Sequence, residues 1–154
     1  MNDSGSIRVQ TLSAQDVPLY HGMLTMFGRA FDDVTTYNDA RPGRDYVERL
    51  LSSDHFIALA AVDGDEVVGG LAAYVLPKFE QARSEIYIYD LAVDERYRRR
   101  GIATALIREL GRIGAERGAW VMFVQADHGD EPAIQLYSSL GRREDVLHFD
   151  IDVG

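Results

Sequence analysis

Residues 87–103 read Tyr-Ile-Tyr-Asp-Leu-Ala-Val-Asp-Glu-Arg-Tyr-Arg-Arg-Arg-Gly-Ile-Ala, and this is the most informative stretch of the chain. Its apolar first half predicts a strand, and the glycine after the arginines opens a helical segment from Ile102 to Arg117. A turn of this kind presents free backbone N–H groups at the positive end of the helix dipole. The sequence therefore predicts an anion site at this turn.

The arginines of the turn form the densest basic patch of an acidic protein. Four of the sixteen lysine and arginine residues lie within Arg96–Arg100, although the net charge of the chain is −9. Guanidinium groups bind phosphate oxygens through paired hydrogen bonds. A phosphate-bearing ligand is the simplest interpretation, and a solvated basic face is the alternative.

Length and composition predict one globular domain that covers residues 1–154. Hydrophobic residues make up 46% of the chain and charged residues 27%, which is typical of soluble proteins. No segment approaches the ~18 consecutive apolar residues of a membrane span. The first six residues lack a basic region followed by an apolar run. We therefore expect a cytoplasmic protein without a membrane partner.

The residue types present also limit which kinds of functional site the chain can form. The chain has no cysteine, which excludes disulfides, thiolate metal sites and a cysteine nucleophile. Its four histidines are scattered without metal-ligand spacing, so we expect no metal. The acidic balance argues against nucleic acid, whose binding needs a broad basic face, and favours a cationic partner or simple solubility.

Hydrophobic periodicity predicts the element order β-α-α-β-β-β-α-β-α-β. Strands are expected at Ile7–Thr11, Phe56–Val62, Glu66–Leu76, Ser84–Val93, Trp120–Ala126 and Val146–Ile151. Helices are expected at Asp16–Phe31, after Pro42, at Ile102–Arg117 and at Pro132–Leu140, with turns at Asp32–Pro42. This order predicts an α/β (α+β) fold whose mixed central sheet has helices on both faces. The strand–helix–strand unit of residues 84–126 should contain parallel strands.

Two motifs resemble signatures of the GCN5-related N-acetyltransferase (GNAT) superfamily. Residues 98–103 fit the pattern Arg/Gln-x-x-Gly-x-Gly/Ala of its pyrophosphate loop, and here they follow a strand and open a helix. Residues 133–141 resemble its second signature, a helix with a tyrosine near the coenzyme sulfur. The resemblance implies acetyl-CoA as cosubstrate. The implied coenzyme contacts are Leu91, Ala92 and Val93 on the strand edge, Arg98, Arg99, Arg100, Gly101, Ile102, Ala103 and Thr104 on the loop, and Asp130 and Tyr137.

Acyl transfer from a thioester to an amine needs a base for the amine's proton and a proton donor for the leaving thiolate. Tyr137 is the implied acid, since a tyrosine pKa of about 10 lies near a thiol pKa of about 8.5. The alternative is that Tyr137 only packs against Ile134 and Leu140. Asp130 stands where many family members have an asparagine that binds the coenzyme arm, and facing a cationic acceptor is its alternative role.

Asp90 is the leading candidate for the base. Strict strand alternation puts this acid among apolar residues such as Ile86 and Ile88, where a carboxylate is costly unless it has a partner. Burial would raise its pKa and make it a better base. Glu85 is the competitor, acting directly or through water. A structural carboxylate that binds backbone N–H groups near a strand bulge is the other interpretation of Asp90.

The chain from about Ile7 to Asp152 resembles the aminoglycoside 3-N-acetyltransferases of the gentamicin-resistance type. The similar stretches are residues 56–61, 73–81, 83–93, 124–127 and 148–152. The resemblance implies acetyl transfer to the 3-amino group of a 2-deoxystreptamine aminoglycoside, and hence antibiotic resistance. Such substrates are polycations, which suits an acidic protein. The expected substrate contacts are Glu85, Tyr87, Asp90, Asp127, Asp150 and Asp152.

Two alternatives stay open at this point. The same fold can acetylate a polyamine or another small amine, or it can bind coenzyme A without turnover. Asp90 and Tyr137 argue against a non-catalytic module, which needs neither of them. Since no cysteine is available for an acyl-enzyme, transfer should be direct, in a ternary complex. A monomer and a homodimer are both left open.

Overall fold

Five β-strands form one mixed sheet in the computed structural model of the protein, which describes residues 6–154. The strands are β1 (Ile7–Thr11), β2 (Phe56–Asp63), β3 (Glu66–Pro77), β4 (Ser84–Val93) and β5 (Ala119–Val124). They lie side by side in chain order, with antiparallel pairs from β1 to β4 and a parallel pair between β4 and β5. The parallel pairing predicted for the strand–helix–strand unit is confirmed.

Five α-helices and one 3-10 turn complete the described residues. They are α1 (Val17–Ala30), α2 (Val34–Asn38), α3 (Arg44–Ser52), the 3-10 turn (Glu95–Tyr97), α4 (Ile102–Glu116) and α5 (Glu131–Leu140). Among the α-helices, only α2 lacks a predicted counterpart, since turns are expected there, and the 3-10 turn is not predicted either. Both are single turns, which are too short to show an apolar stripe. The Asp33 side chain stabilises the start of α2 by accepting a hydrogen bond from the Thr36 N–H at 3.3 Å.

Helices cover both faces of the sheet, as the sequence predicts. Gly69 and Gly70 are neighbours on β3, and a Cβ atom added to each would meet a different helix. At Gly69 it would lie 3.0 Å from Cγ2 of Ile102 on α4, and at Gly70 it would lie 2.7 Å from Cγ of Met23 on α1. Because successive residues of a strand point to opposite faces, α1 and α4 pack against opposite faces of the sheet.

The core side chains on both faces are deeply buried. Met23 and Phe27 of α1 are each 1% exposed, and Leu106 and Leu110 of α4 are 0% exposed. Burying a side chain of this size contributes about 1.5–3 kcal/mol to stability. The two helices therefore fix the central strands, and β4 carries the polar residues described below.

The chain forms two units, one ending at Val124 and one spanning Gln125–Gly154. The second unit contains α5 and residues 142–154, which form no strand. The strand predicted at Val146–Ile151 is therefore wrong. Alternation of apolar and polar residues shows only that a segment suits a sheet, whereas a strand also needs a neighbour for its backbone groups. Phe149 and Ile151 of this segment are 75% and 86% exposed.

Candidate active site

A β-bulge in β4 decides where Asp90 lies. Ala72 of β3 pairs with Asp90 while the next residue, Ala73, pairs with Ile88, so Tyr89 is an extra residue without a counterpart. Asp90 consequently shares the face of Ala72, which is the face of the Tyr74–Tyr87 pair. The interpretation that strict alternation puts Asp90 on the face of Ile86 and Ile88 is wrong, because the bulge reverses the alternation between them.

Asp90 has a side-chain partner, Tyr37, that no sequence pattern predicts. The Tyr37 hydroxyl donates a hydrogen bond to Oδ2 of Asp90 at 2.8 Å, across 53 positions of the chain. Burial raises the pKa of Asp90 above its usual value, and the Tyr37 hydrogen bond partly counters that rise. The pKa of Tyr37 is raised as well, mainly by burial and secondly by the hydrogen bond to Asp90. The half-buried Asp90 carboxylate is thus more basic than an exposed one, and it accepts a hydrogen bond from the neutral Tyr37 phenol.

A continuous row of aromatic rings crosses four strands on this face. Ring centroids lie 5.4 Å apart for Phe56–Tyr74, 5.7 Å for Tyr74–Tyr89, 5.6 Å for Tyr89–Tyr87 and 4.7 Å for Tyr87–Phe123. We call these five rings the aromatic row. Tyr89 is 60% exposed, so the row offers ring surface to solvent beside Asp90. Tyr87, which the sequence analysis assigns to substrate binding, is part of it.

Beyond the bulge, β4 has a strand neighbour on one side only. Its pairing with β5 covers Ser84–Ile88 and stops there. Leu91, Ala92 and Val93 still pair with β3, at Leu71, Gly70 and Gly69. Within the described residues, the β5 side of this segment therefore carries no strand. An edge of this kind can bind an extended amide-containing ligand through backbone hydrogen bonds.

The turn before α4 has the geometry of an anion site. Arg99 and Gly101 both adopt left-handed backbone, with φ of 64° and 75°. A Cβ added at Gly101 would meet no atom within 4 Å, so the backbone there is open to a ligand. The first helical hydrogen bond runs from the Ala105 N–H to the Gly101 carbonyl at 3.0 Å. The N–H groups of the preceding helical residues have no helical acceptor and can bind an anion.

The arginines of this turn divide into two kinds. Arg96 is held by Asp94 and Glu66, and these carboxylates raise the pKa of its guanidinium. Arg98 Nε donates to the Val93 carbonyl at 3.4 Å, and the Arg100 guanidinium lies 4.9 Å from the centre of the Tyr97 ring. Arg96 thus braces the turn. Arg98 and Arg100 form no ion pair in the part of the chain that is described, and their charge is available to an anion.

Glu85 lies at the other end of β4, and its carboxylate is already paired. Its Oε1 is 3.5 Å from Nζ of Lys78, and both side chains are largely buried. Its strand partners are Leu76 and Val121, whereas Asp90 lies past the bulge opposite Ala72. Glu85 is therefore separated from Asp90 along β4 and balanced by a lysine.

The second unit carries the other residues that the sequence singles out. Asp130 caps α5 by accepting a hydrogen bond from the Ala133 N–H at 3.4 Å. Tyr137 is half-buried, and its pKa is raised first by burial and then by Asp130. Asp127 and Asp152 are exposed, and Asp150 lies 2.8 Å from Nε2 of His148. Asp150 and Asp152 lie on an irregular segment and not on the predicted last strand.

Residues 6–154 offer neither a metal site nor a membrane-spanning helix. None of these residues form a group of three or more histidine, aspartate or glutamate side chains suited to a metal ion. Among the described helices, none combines the length and the apolar character needed to cross a bilayer.

Comparison with known proteins identifies the family. Residues 22–141 match the acetyltransferase (GNAT) family. A solved aminoglycoside acetyltransferase from an uncultured soil metagenomic sample is 61% identical, with a TM-score of 0.95 over 97% of this chain and 99% of that chain. Another, from an uncultured soil metagenomic sample and solved in complex with sisomicin, is 30% identical, with a TM-score of 0.88 over 97% of this chain and 98% of that chain. The protein belongs to the acetyltransferase (GNAT) family.

Curated relatives agree with this assignment at greater distance. An N-alpha-acetyltransferase of Sulfurisphaera tokodaii is 33% identical over 110 residues, which is 64% of this chain and 63% of that protein. The N-acetyltransferase family 8 member 2 of Rattus norvegicus is 27% identical over 117 residues, which is 69% of this chain and 52% of that protein. The matches span less than two thirds of the length of these relatives.

Proposed function

We propose that the protein transfers an acetyl group from acetyl-CoA to the 3-amino group of 2-deoxystreptamine aminoglycosides such as gentamicin, and so confers antibiotic resistance. The observation that carries the proposal is the 61% identity, over nearly the full length of both chains, to an aminoglycoside acetyltransferase. A second relative of this kind was solved with the aminoglycoside sisomicin. The 3-amino position rests on the resemblance of the sequence to the 3-N type.

The turn before α4 fits acetyl-CoA, which would supply the acetyl group as an activated thioester. Its pyrophosphate would lie on the backbone from Arg98 to Thr104, where Gly101 leaves the approach open. Its amide arm would pair with the edge Leu91–Val93, which has no strand on its β5 side among the described residues. Asp130 is a further proposed contact, although its carboxylate already caps α5.

The face of β4 that carries Asp90 suits a polycationic saccharide. An ionised Asp90 attracts an ammonium group, and aromatic ring faces attract cations as well. The aromatic row provides such faces next to Asp90, with Tyr74 39% and Tyr89 60% exposed. Asp127, Asp150 and Asp152 are further proposed contacts of the acceptor. The net charge of −9 adds a long-range attraction.

In the proposed reaction, Asp90 removes the proton that makes the acceptor amine an ammonium, through a carboxylate oxygen. The free amine then attacks the acetyl carbonyl directly, since the chain has no cysteine to carry the acetyl group. As the carbon–sulfur bond breaks, the Tyr137 hydroxyl donates a proton to the departing thiolate, and the second proton, lost by the nitrogen as it becomes an amide, passes to solvent, which returns a proton to the phenol. Glu85, held by Lys78, is the weaker candidate for the base.

A panel of acceptors tests this function. Purified protein with acetyl-CoA is expected to release thiol in the presence of gentamicin and kanamycin, and NMR of the product should show acetylation at the 3-amino group. Turnover with spermidine but with no aminoglycoside would identify a polyamine acetyltransferase. Binding of acetyl-CoA without thiol release for any amine would identify a non-catalytic coenzyme-binding protein.

Gly101→Val is expected to weaken acetyl-CoA binding by roughly 10–100-fold, measured by calorimetry. The valine adds a branched Cβ in the space proposed for the pyrophosphate and disfavours the φ of 75° that orients the turn. Loss of a few hydrogen bonds to a charged group is enough for this effect.

Gly118→Val is the matched control for that variant. Gly118 follows the other end of α4, has a φ of 83° and also leaves open space around its missing Cβ. It should show a similar loss of stability, because the backbone strain is similar, while it keeps wild-type affinity for acetyl-CoA. Unchanged coenzyme affinity in folded Gly101→Val would remove the pyrophosphate from this turn.

A further inference from the structure

Tyr37 is the polar residue of the site for which the proposed function has no role so far. It lies on α2, and its ring packs 5.8 Å from Phe27 and 5.7 Å from Phe31, centre to centre. Its hydroxyl reaches out of this aromatic packing to Oδ2 of Asp90 at 2.8 Å. Asp33 caps the start of the same helical turn, which stabilises the backbone that carries Tyr37.

We propose that Tyr37 is a positioning residue for acetyl transfer: its hydroxyl holds the Asp90 carboxylate, ionised and in a fixed orientation, toward the acceptor amine. The inference rests on the proposed function, in which Asp90 is the base. Tyr37 itself does not exchange a proton with the acceptor. Its role is to fix the oxygen atom Oδ2, which leaves Oδ1 of Asp90 to receive the proton.

The groups around Asp90 explain why one hydroxyl matters. The titratable groups that face it are Tyr37 on α2, Tyr74 on β3, and Tyr87 and Tyr89 on β4 itself. From α1, the guanidinium of Arg29 lies 3.7 Å from Asp94 instead. In the described part of the chain, no lysine or arginine forms an ion pair with Asp90. Tyr37 is therefore the group that offsets the burial of this carboxylate.

The direction of the effect follows from the chemistry of this hydrogen bond. Burial favours the protonated, neutral form of Asp90, whereas a hydrogen bond donated by Tyr37 favours the ionised form. Removing the hydroxyl leaves burial unopposed. The carboxyl of Asp90 should then keep its proton up to a higher pH.

Tyr37→Phe tests the proposal, since it removes the hydroxyl and keeps the ring that packs against Phe27 and Phe31. We expect the titration of Asp90, followed by carbon-13 NMR of the aspartate carboxyl groups and assigned with Asp90→Asn, to move up by roughly one pH unit. The rising limb of kcat/KM against pH for gentamicin should move in the same direction. If Tyr37 only packed against its neighbours, Tyr37→Phe would change neither the Asp90 titration nor the pH dependence of kcat/KM.

Tyr97→Phe is the matched control, because its hydroxyl donates a 2.7 Å hydrogen bond to a different carboxylate, that of Asp63. It should leave the Asp90 titration where it is in the wild type. An Asp90 titration in Tyr37→Phe that overlays the wild type overturns the inference, and so does an unmoved rising limb in an active enzyme. The NMR measurement needs no acceptor. A shifted titration in a protein that acetylates no aminoglycoside would therefore overturn the proposed function and leave the Tyr37–Asp90 linkage standing.

Discussion

Asp90→Asn is expected to lower kcat for gentamicin by roughly 10²–10⁴, which is the usual contribution of a general base. The substitution keeps the shape of the side chain and removes its ability to accept a proton. Wild-type kcat should rise with pH as Asp90 ionises, through a pKa that burial has raised. The variant should lose this titration, and its kcat should instead rise steadily with pH because hydroxide removes the proton from the amine.

Asp65→Asn provides a control for the loss of one negative charge, since Asp65 is exposed in the turn between β2 and β3. It should keep wild-type kcat. If Asp90 only attracts the cationic acceptor, Asp90→Asn will raise KM and leave kcat unchanged. A pH–rate profile that overlays the wild type would transfer the role to Glu85 or to a water chain.

The stability of the same variant separates a catalytic carboxylate from a structural one. The pKa of Asp90 is raised in the folded protein, so the folded state binds more protons than the unfolded state between the two pKa values. Its contribution to stability is therefore present at low pH and falls as pH rises through this range. At neutral pH, Asp90→Asn should melt no lower than the wild type. A large loss of Tm would assign Asp90 a structural role.

Tyr137→Phe is expected to lower kcat by a similar factor of roughly 10²–10⁴, while acetyl-CoA affinity stays close to the wild type. The change removes only the hydroxyl that would protonate the departing thiolate. Burial and Asp130 raise the pKa of Tyr137 above its ordinary value of 10.0, so the phenol is fully protonated at neutral pH. Wild-type kcat should fall at alkaline pH when this phenol loses its proton, and that fall should accordingly lie above pH 10.

Tyr46→Phe is the control for Tyr137→Phe, because it makes the same change on α3, where the side chain is 56% exposed. It should keep wild-type kcat. Pre-steady-state measurements must show that chemistry limits turnover in the wild type, since a slow product release would hide the loss. A Tyr137→Phe variant with wild-type single-turnover rates would leave Tyr137 as a packing residue of α5.

The sequence predicted the parts of the fold whose signals are local. Gly101 after a run of arginines marks the turn before α4, and Gly118 marks the end of that helix, with φ of 75° and 83° in the structure. The strand Ser84–Val93 has the predicted bounds. In each case the residues that form the element also carry the pattern, so periodicity and glycine placement are sufficient.

The parts that the sequence missed depend on residues far apart in the chain. A strand bulge near Asp90 entered the sequence analysis only through the structural interpretation of that residue. Its position at Tyr89 follows from the pairing of β4 with β3, and the bulge reverses the face of Asp90 relative to strict alternation. The bond from Tyr37 joins a single helical turn to a strand 53 positions away, and no spacing rule shows it. The start of α2 did have a local signal, because Asp33 is a typical N-cap residue three positions before Thr36.

The exposed apolar side chains of residues 146–153 have a consequence for the handling of the protein in solution. Val146, Phe149 and Ile151 are 68%, 75% and 86% exposed, and such β-prone segments are aggregation hazards. The acids Asp150 and Asp152 interrupt them, which is how natural chains guard segments of this kind. That protection is electrostatic and weakens as the net charge approaches zero, near the isoelectric point of about 4.8 that the composition implies. Colloidal stability, and not only the fold, therefore favours storage at neutral or alkaline pH.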